Sequence, residues 1–282
     1  MPARSTTKHR FGGRWTAEKL DILRKYLSFY TLALSRQKFD LVYIDAFAGT
    51  GRCEIAIDGG RRTIDGSAKI ALDCAPGFAC YRFIEKKRHH AEQLEALIAM
   101  HPNGQRASVV NLRAGQGLPQ VLAAHNWKST RGVLFLDPYG LQCDWSLMEQ
   151  IAATEALDVF FLLSLSGLYR QAAVDASGID EHKAARLTAV LGTAGWREHL
   201  YTREQFGLFD GPTLTREPGY RDILQFTTER FRGLFPHVAD PALLGLVNGA
   251  PLFALYFIVA NPHPKAVELA GRVSREVLTK LR

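Results

Sequence analysis

Leu41-Val42-Tyr43-Ile44-Asp45-Ala46-Phe47-Ala48-Gly49-Thr50-Gly51-Arg52 decides the reading of this 282-residue chain. Four apolar residues run into a carboxylate, and a Gly-x-Gly pair follows. That order describes a buried strand whose carboxyl end turns into a loop able to cradle a nucleotide. Gly49 and Gly51 have no Cβ, so the backbone can take positive φ and a ligand can lie against the main chain. Asp45, at the strand tip, can accept a hydrogen bond from a polar ligand group.

Two more strand ends are expected at the same edge. Ala79-Cys80-Tyr81-Arg82-Phe83-Ile84-Glu85 is a second apolar run ending in a carboxylate, followed by a helical segment from about Lys87 to Met100. A carboxylate has two acceptor oxygens and a ribose diol has two donors, which makes Glu85 the ribose candidate. Its distance from Asp45 exceeds the usual spacing of about 20 residues, and a Gly- and Arg-rich insertion from Cys53 to Asp65 accounts for the excess. The third end is Leu134-Phe135-Leu136-Asp137-Pro138-Tyr139-Gly140. Pro138 stiffens this turn and has no N–H, leaving nearby carbonyls free to accept. Asp137 and a Pro138 carbonyl can hold an amine there while Tyr139 stacks on a flat ring.

These motifs resemble class I S-adenosylmethionine-dependent methyltransferases, and among them the three-Cys-motif partner protein (TcmP) family. The likeness runs through Glu18 to Leu27, Tyr43 to Gly49, Gly66-Ser67-Ala68, Leu136 to Gly140 and Pro251 to Tyr256. That family's name describes a companion bearing three cysteines, so the implied partner is such a protein and no cysteine cluster is expected here. More distantly, the chain is similar to ribosomal-RNA adenine-N6 methyltransferases carrying Asp-Thr-His-Ala-Gly, Gly-Ser-Pro, Glu-Leu-His-Pro and Asp-Pro-Pro-Tyr. By that likeness Phe47 takes the cofactor-touching His position, Ser67 the Ser, Glu85 the ribose-binding Glu and Asp137 the catalytic Asp. Gly115-Gln116 matches the Gly-Asp that reads the adenine, and a Gln amide can both donate and accept. Two departures stand out: Leu20 occupies the place of a polar His, and the second Pro of Asp-Pro-Pro-Tyr is absent.

The implied function is S-adenosylmethionine-dependent methylation of an amine on RNA or DNA. Gly49 and Gly51 would admit the methionine portion, and Asp137, Pro138 and Tyr139 would serve the acceptor. A non-catalytic S-adenosylmethionine-binding or scaffold subunit, complexed with a three-cysteine partner, is the alternative. A nicotinamide dehydrogenase ranks third, because the third Gly is missing at its usual spacing. Ser164-Leu165-Ser166-Gly167 misses the Gly-x-Ser-x-Gly elbow of serine hydrolases.

With 47% hydrophobic residues the chain can bury one large core or a core plus a subdomain. No apolar run reaches the roughly 18 residues of a membrane span, and no signal core precedes the first helix, so a cytoplasmic protein without membrane attachment is expected. Cys53, Cys74, Cys80 and Cys143 lack the close paired spacing of a zinc site, so neither a metal nor a disulfide is expected. The net charge of +7 is concentrated in residues 1–15, where Arg4, Lys8, Arg10 and Arg14 meet no acid. This basic arm reads either as flexible and phosphate-neutralising or as a solubilising terminus.

The remainder, 16–282, reads as one α/β domain with a Rossmann-like, mostly parallel sheet. Thr16 is expected to cap a helix to about Ser35, with Leu20, Leu23, Leu27, Tyr30 and Leu34 on one face. Leu157 to Leu163 is a strand buried on both faces. Strand–helix alternation up to residue 163 requires parallel, right-handed crossovers. A helical elaboration is expected over about 164–236. Leu243 to Val247 and Leu252 to Ala260 then form a C-terminal antiparallel hairpin about Asn248-Gly249.

Overall fold

The computed structural model describes residues 14–57, 60–204, 213–217, 219–245 and 250–278. Helix α1 (Arg14–Leu34) leads into β1 (Asp40–Asp45), whose successive side chains serve opposite faces of a sheet. Leu41 and Tyr43 enter one apolar cluster and Val42 and Ile44 the other, all at 8% exposure or less. A strand buried on both faces needs helices on both sides, and the chain supplies them.

An antiparallel pair, β2 (Arg52–Ile57) and β3 (Gly60–Asp65), follows β1. Then come α2 (Ser67–Leu72), β4 (Cys80–Ile84), α3 (Arg88–Ala99), β5 (Ala107–Val110), α4 (Ala114–Ala123), β6 (Thr130–Leu136), α5 (Trp145–Ala152) and β7 (Leu157–Ser164). The segment 164–236 carries α6 (Leu165–Gln171), α7 (Glu181–Leu191), α8 (Trp196–Leu200), the short pair β8 (Thr202–Glu204) and β9 (Thr213–Thr215), and α9 (Arg221–Arg232). The chain closes with β10 (His237–Val238), β11 (Ala242–Leu244), β12 (Phe253–Val259) and α10 (Pro264–Leu278).

The main sheet runs β10-β12-β7-β6-β1-β4-β5. Strands β5, β4, β1, β6 and β7 are mutually parallel, and β12 enters antiparallel to β7 from Phe253 opposite Ser164 to Val259 opposite Asp158. This is a Rossmann-like, mostly parallel sheet extended by antiparallel strands. Helices α1, α2, α3 and α10 cover one face and α4, α5, α7 and α9 the other. Strand β11 also pairs antiparallel with β12, as the hairpin reading requires, while Asn248 and Gly249 lie outside the described residues.

Three local readings are corrected. The Gly- and Arg-rich insertion, expected over Cys53 to Asp65, is a two-stranded hairpin that begins one residue earlier, at Arg52, and buries Ile55 at 1% exposure. Thr16 is not a cap, because α1 begins at Arg14. It sits in the first turn at 8% exposure, and its Oγ1 has no hydrogen-bond partner. Arg14 and Trp15, expected in the basic arm of residues 1–15, belong to α1, and residues 1–13 lie outside the described residues.

Candidate active site

A cavity of about 960 Å³ opens at the carboxyl ends of β1, β4, β5 and β6, within the range of small-molecule sites. In an open α/β sheet this edge receives ligands, because the order reverses there and the two crossovers on either side of β1 part.

One half of the site is built around Glu85. Its Oε2 accepts from the Gly49 N–H at 3.0 Å and its Oε1 from the Lys87 N–H at 2.8 Å. The backbone N–H of Glu85 bonds to Val110 O and its own carbonyl accepts from the Asn111 side-chain amide, so three loops are tied together. An ionised carboxylate has about four lone-pair positions, so each oxygen keeps acceptor capacity toward the cavity. Gly49 has φ +60°, and an added Cβ there would meet nothing within 4 Å. Bare backbone at Gly49 and Gly115, together with a carboxylate and the Gln116 amide, fits an adenosine-bearing ligand. His90 Nδ1 lies 3.8 Å from Glu85, and burial holds this imidazole below its ordinary pKa against the pull of that carboxylate.

The other half contains Asp137, Pro138 and Tyr139 after β6, with Tyr139 62% exposed. Asp137 is ion-paired with Lys19 of α1, whose side chain is only 4% exposed against 31% for Asp137. The Lys19 ammonium also lies 5.4 Å from the Trp15 ring centre and 5.7 Å from that of Phe135, the range of a cation–π contact. Trp15 in turn packs on Phe253 of β12 at 4.8 Å, closing the wall. Cys53 lines the same region, and burial pushes its thiol up, so it stays protonated rather than serving as a nucleophile.

Most residues singled out from the sequence meet at this cavity: Phe47, Gly49, Ser67, Glu85, Gln116, Asp137, Pro138 and Tyr139 all line it. Two do not. Asp45 is fully buried, with Oδ1 accepting from the Phe47 N–H at 3.0 Å and Oδ2 from Ser67 Oγ at 2.6 Å. It braces the turn against α2 rather than facing a ligand, and burial raises its pKa to about 7. Gly51 has the positive φ of +77° required by the turn, but an added Cβ would point at Leu97, 3.0 Å away. Its small size therefore serves packing under α3.

The sequence reading gave Lys19, Trp15 and Phe253 no role in the site, and gave Thr16 only that of a cap. The available signal was a polar pair at i and i+3 inside the apolar stripe of α1, a spacing that places both residues on the buried face. Among the described residues no group of His, Cys, Asp or Glu is placed to hold a metal ion, and no helix is long and apolar enough to cross a membrane.

No protein-family model and no curated protein matches the chain. A solved structure shares its fold, and others are more distantly similar. Protein LPL1258 from Legionella pneumophila str. Philadelphia 1 superposes with TM-score 0.51 at 12% identity, over 95% of this chain and 94% of that one. Magnesium protoporphyrin IX methyltransferase from Synechocystis PCC 6803, solved with bound SAH, gives TM-score 0.40 at 9% identity over 86% and 84%. The glycopeptide N-methyltransferase MtfA, complexed with S-adenosyl-L-homocysteine, gives 0.34 at 11% over 82% and 87%.

Proposed function

We propose that this chain is an S-adenosylmethionine-dependent methyltransferase acting on an amine of a nucleic acid. The observation that carries the reading is the joining, in one cavity, of the Glu85–Gly49 clamp and the Asp137-Pro138-Tyr139 turn on neighbouring strands. Glu85 would hold the ribose, Gln116 the adenine, and the bare backbone at Gly49 the methionine portion. The bound cofactor supplies a methyl group already activated by its sulfonium, so the protein's part is placement.

Asp137 and the Pro138 carbonyl would accept hydrogen bonds from the acceptor amine and aim its lone pair, while Tyr139 stacks against the ring that bears it. Lys19 holds the Asp137 carboxylate in position. The resemblance to the TcmP family and to the adenine-N6 enzymes supports this assignment of roles, and a base within a duplex would have to leave its stack to enter.

A second reading is favoured by the same ion pair. With Asp137 already engaged by Lys19 and no second Pro in the turn, the pocket would bind S-adenosylmethionine without transferring methyl, as a subunit beside a three-cysteine partner. Calorimetry with S-adenosylmethionine, together with transfer of a labelled methyl group to total nucleic acid, separates the two. Binding with transfer that is lost in Asp137→Ala supports the enzyme. Binding without transfer, with and without the partner, supports the subunit. No binding refutes both.

A further inference from the structure

Part of the charge around the cavity has no task in the scheme above. Arg52, Lys86, Lys87 and Arg113 line its rim and are exposed, and none has a carboxylate partner among the described residues. The carboxylates of the same cavity are all engaged. Glu85 takes two backbone N–H groups, Asp137 takes Lys19, Asp144 takes Arg186, and Glu54 lies 3.7 Å from Arg61. Neutral N–H donors leave Glu85 without a Lys or Arg partner, so the four exposed cations face one unpaired carboxylate and still exceed it.

Topology arranges these four in a line, while Arg170, also exposed at the cavity, lies apart from it in α6. Arg52 directly follows the turn after β1, Lys86 and Lys87 follow β4, and Arg113 precedes α4 in the loop after β5. Because β1, β4 and β5 are successive neighbours, the four cations form a row along the carboxyl edge of the sheet. The row leads away from Asp137 and Tyr139, which follow β6 on the other side of β1. Three strand spacings of about 4.8 Å separate β6 from β5, so the row extends roughly 14 Å from the acceptor side.

We propose that this row is the track for a single strand of nucleic acid, whose phosphates lie on Arg52, Lys86, Lys87 and Arg113 while one base enters beside Asp137. The proposal rests on the methyltransferase reading and deepens it by giving the polymer a defined path. A small acceptor would have no use for cations this far from the methyl-receiving end. An acidic peptide would meet the cations but present no flat ring to the exposed Tyr139. A single strand meets both, since cations following a backbone beside an aromatic platform are how unpaired strands are gripped. From β1 to β5 the row covers two strand spacings, about 10 Å, so at a stacked rise of about 3.4 Å per nucleotide it spans about three nucleotides.

The test uses the full chain and a quadruple variant, Arg52→Gln, Lys86→Gln, Lys87→Gln and Arg113→Gln, which leaves the Lys87 backbone N–H on Glu85 in place. Fluorescence anisotropy with mixed-sequence single-stranded RNA and DNA is recorded across a salt series, with polyglutamate as the acidic-peptide arm. Calorimetry with S-adenosylhomocysteine is run on both proteins. Each phosphate contact contributes about 0.7 to the slope of log affinity against log salt, so the variant should lose up to about 3 from the native slope. Preference for RNA or for DNA identifies the sugar and supports the track equally. An unchanged slope in a variant that still binds S-adenosylhomocysteine overturns the proposal, and so does polyglutamate binding as tightly as the oligonucleotides. If native protein binds oligonucleotide with the expected slope but no S-adenosylhomocysteine, the cofactor reading falls while the track stands.

Discussion

Removing the Lys19–Asp137 pair should reveal how strongly α1 is fastened to the acceptor side. Pairs buried on both sides cost about 3 to 5 kcal/mol when one partner is deleted, and exposed pairs 0.2 to 1 kcal/mol. Here Lys19 is 4% exposed and Asp137 31%, so water can reach only the carboxylate. The coupling should thus fall near that of a hydrogen bond to a charged group, about 1.5 to 3 kcal/mol. The asymmetry has a direction. Lys19→Met leaves a carboxylate that solvent can partly satisfy, whereas Asp137→Ala strands an ammonium between the Trp15 and Phe135 rings, so Asp137→Ala should be the more destabilising. Urea unfolding of the two single variants and Lys19→Met/Asp137→Ala, extrapolated linearly, gives the cycle. Additivity within about 0.5 kcal/mol would refute the coupling, and a larger loss from Lys19→Met would refute the solvent argument.

Glu85→Ala should weaken S-adenosylmethionine by about 1 to 3 kcal/mol in calorimetry, with Glu85→Gln retaining more affinity because one oxygen still accepts. Undiminished affinity in Glu85→Ala would remove Glu85 from the binding site. Asp45 should make stability depend on pH. Its folded pKa near 7 lies above the ordinary carboxyl value, so the folded state holds the proton that the unfolded chain has released. Stability from this group is full below about pH 4 and falls by up to about 1.4 kcal/mol per unit until about pH 7. Thermal melts of Asp45→Asn should show a flatter profile over that window, and an identical slope in both proteins would contradict the assigned burial effect.

The strands β1, β4, β6 and β7 were legible because each is a mainly apolar run, interrupted at most by a charge such as Arg82 or Asp158, that leads into a polar turn. Strands β2 and β3 were not, since Arg52, Glu54, Arg61 and Thr63 are exposed and, among the described side chains of the pair, only Ile55 is fully buried, leaving no apolar run. The cofactor half of the site could be read because Gly49 and Glu85 lie at strand ends, where chain order alone places them. Lys19 could not, because a lysine on a helix ordinarily reaches solvent, and only the tertiary approach of β6 turns this one inward. Asp45 shows the opposite failure. A carboxylate at a strand tip suggests a ligand contact, yet the adjacent Phe47 N–H and the Ser67 hydroxyl satisfy it within the protein.

The contact of Trp15 with Phe253 joins the first helix of the described chain to its last strand. During synthesis α1 emerges before the strand that completes its wall. The Glu85 clamp needs only β1, β4 and β5, which are close in sequence and close their loops at low entropic cost. A growing polypeptide would therefore acquire its cofactor grip well before its acceptor wall. The two halves mature on different clocks.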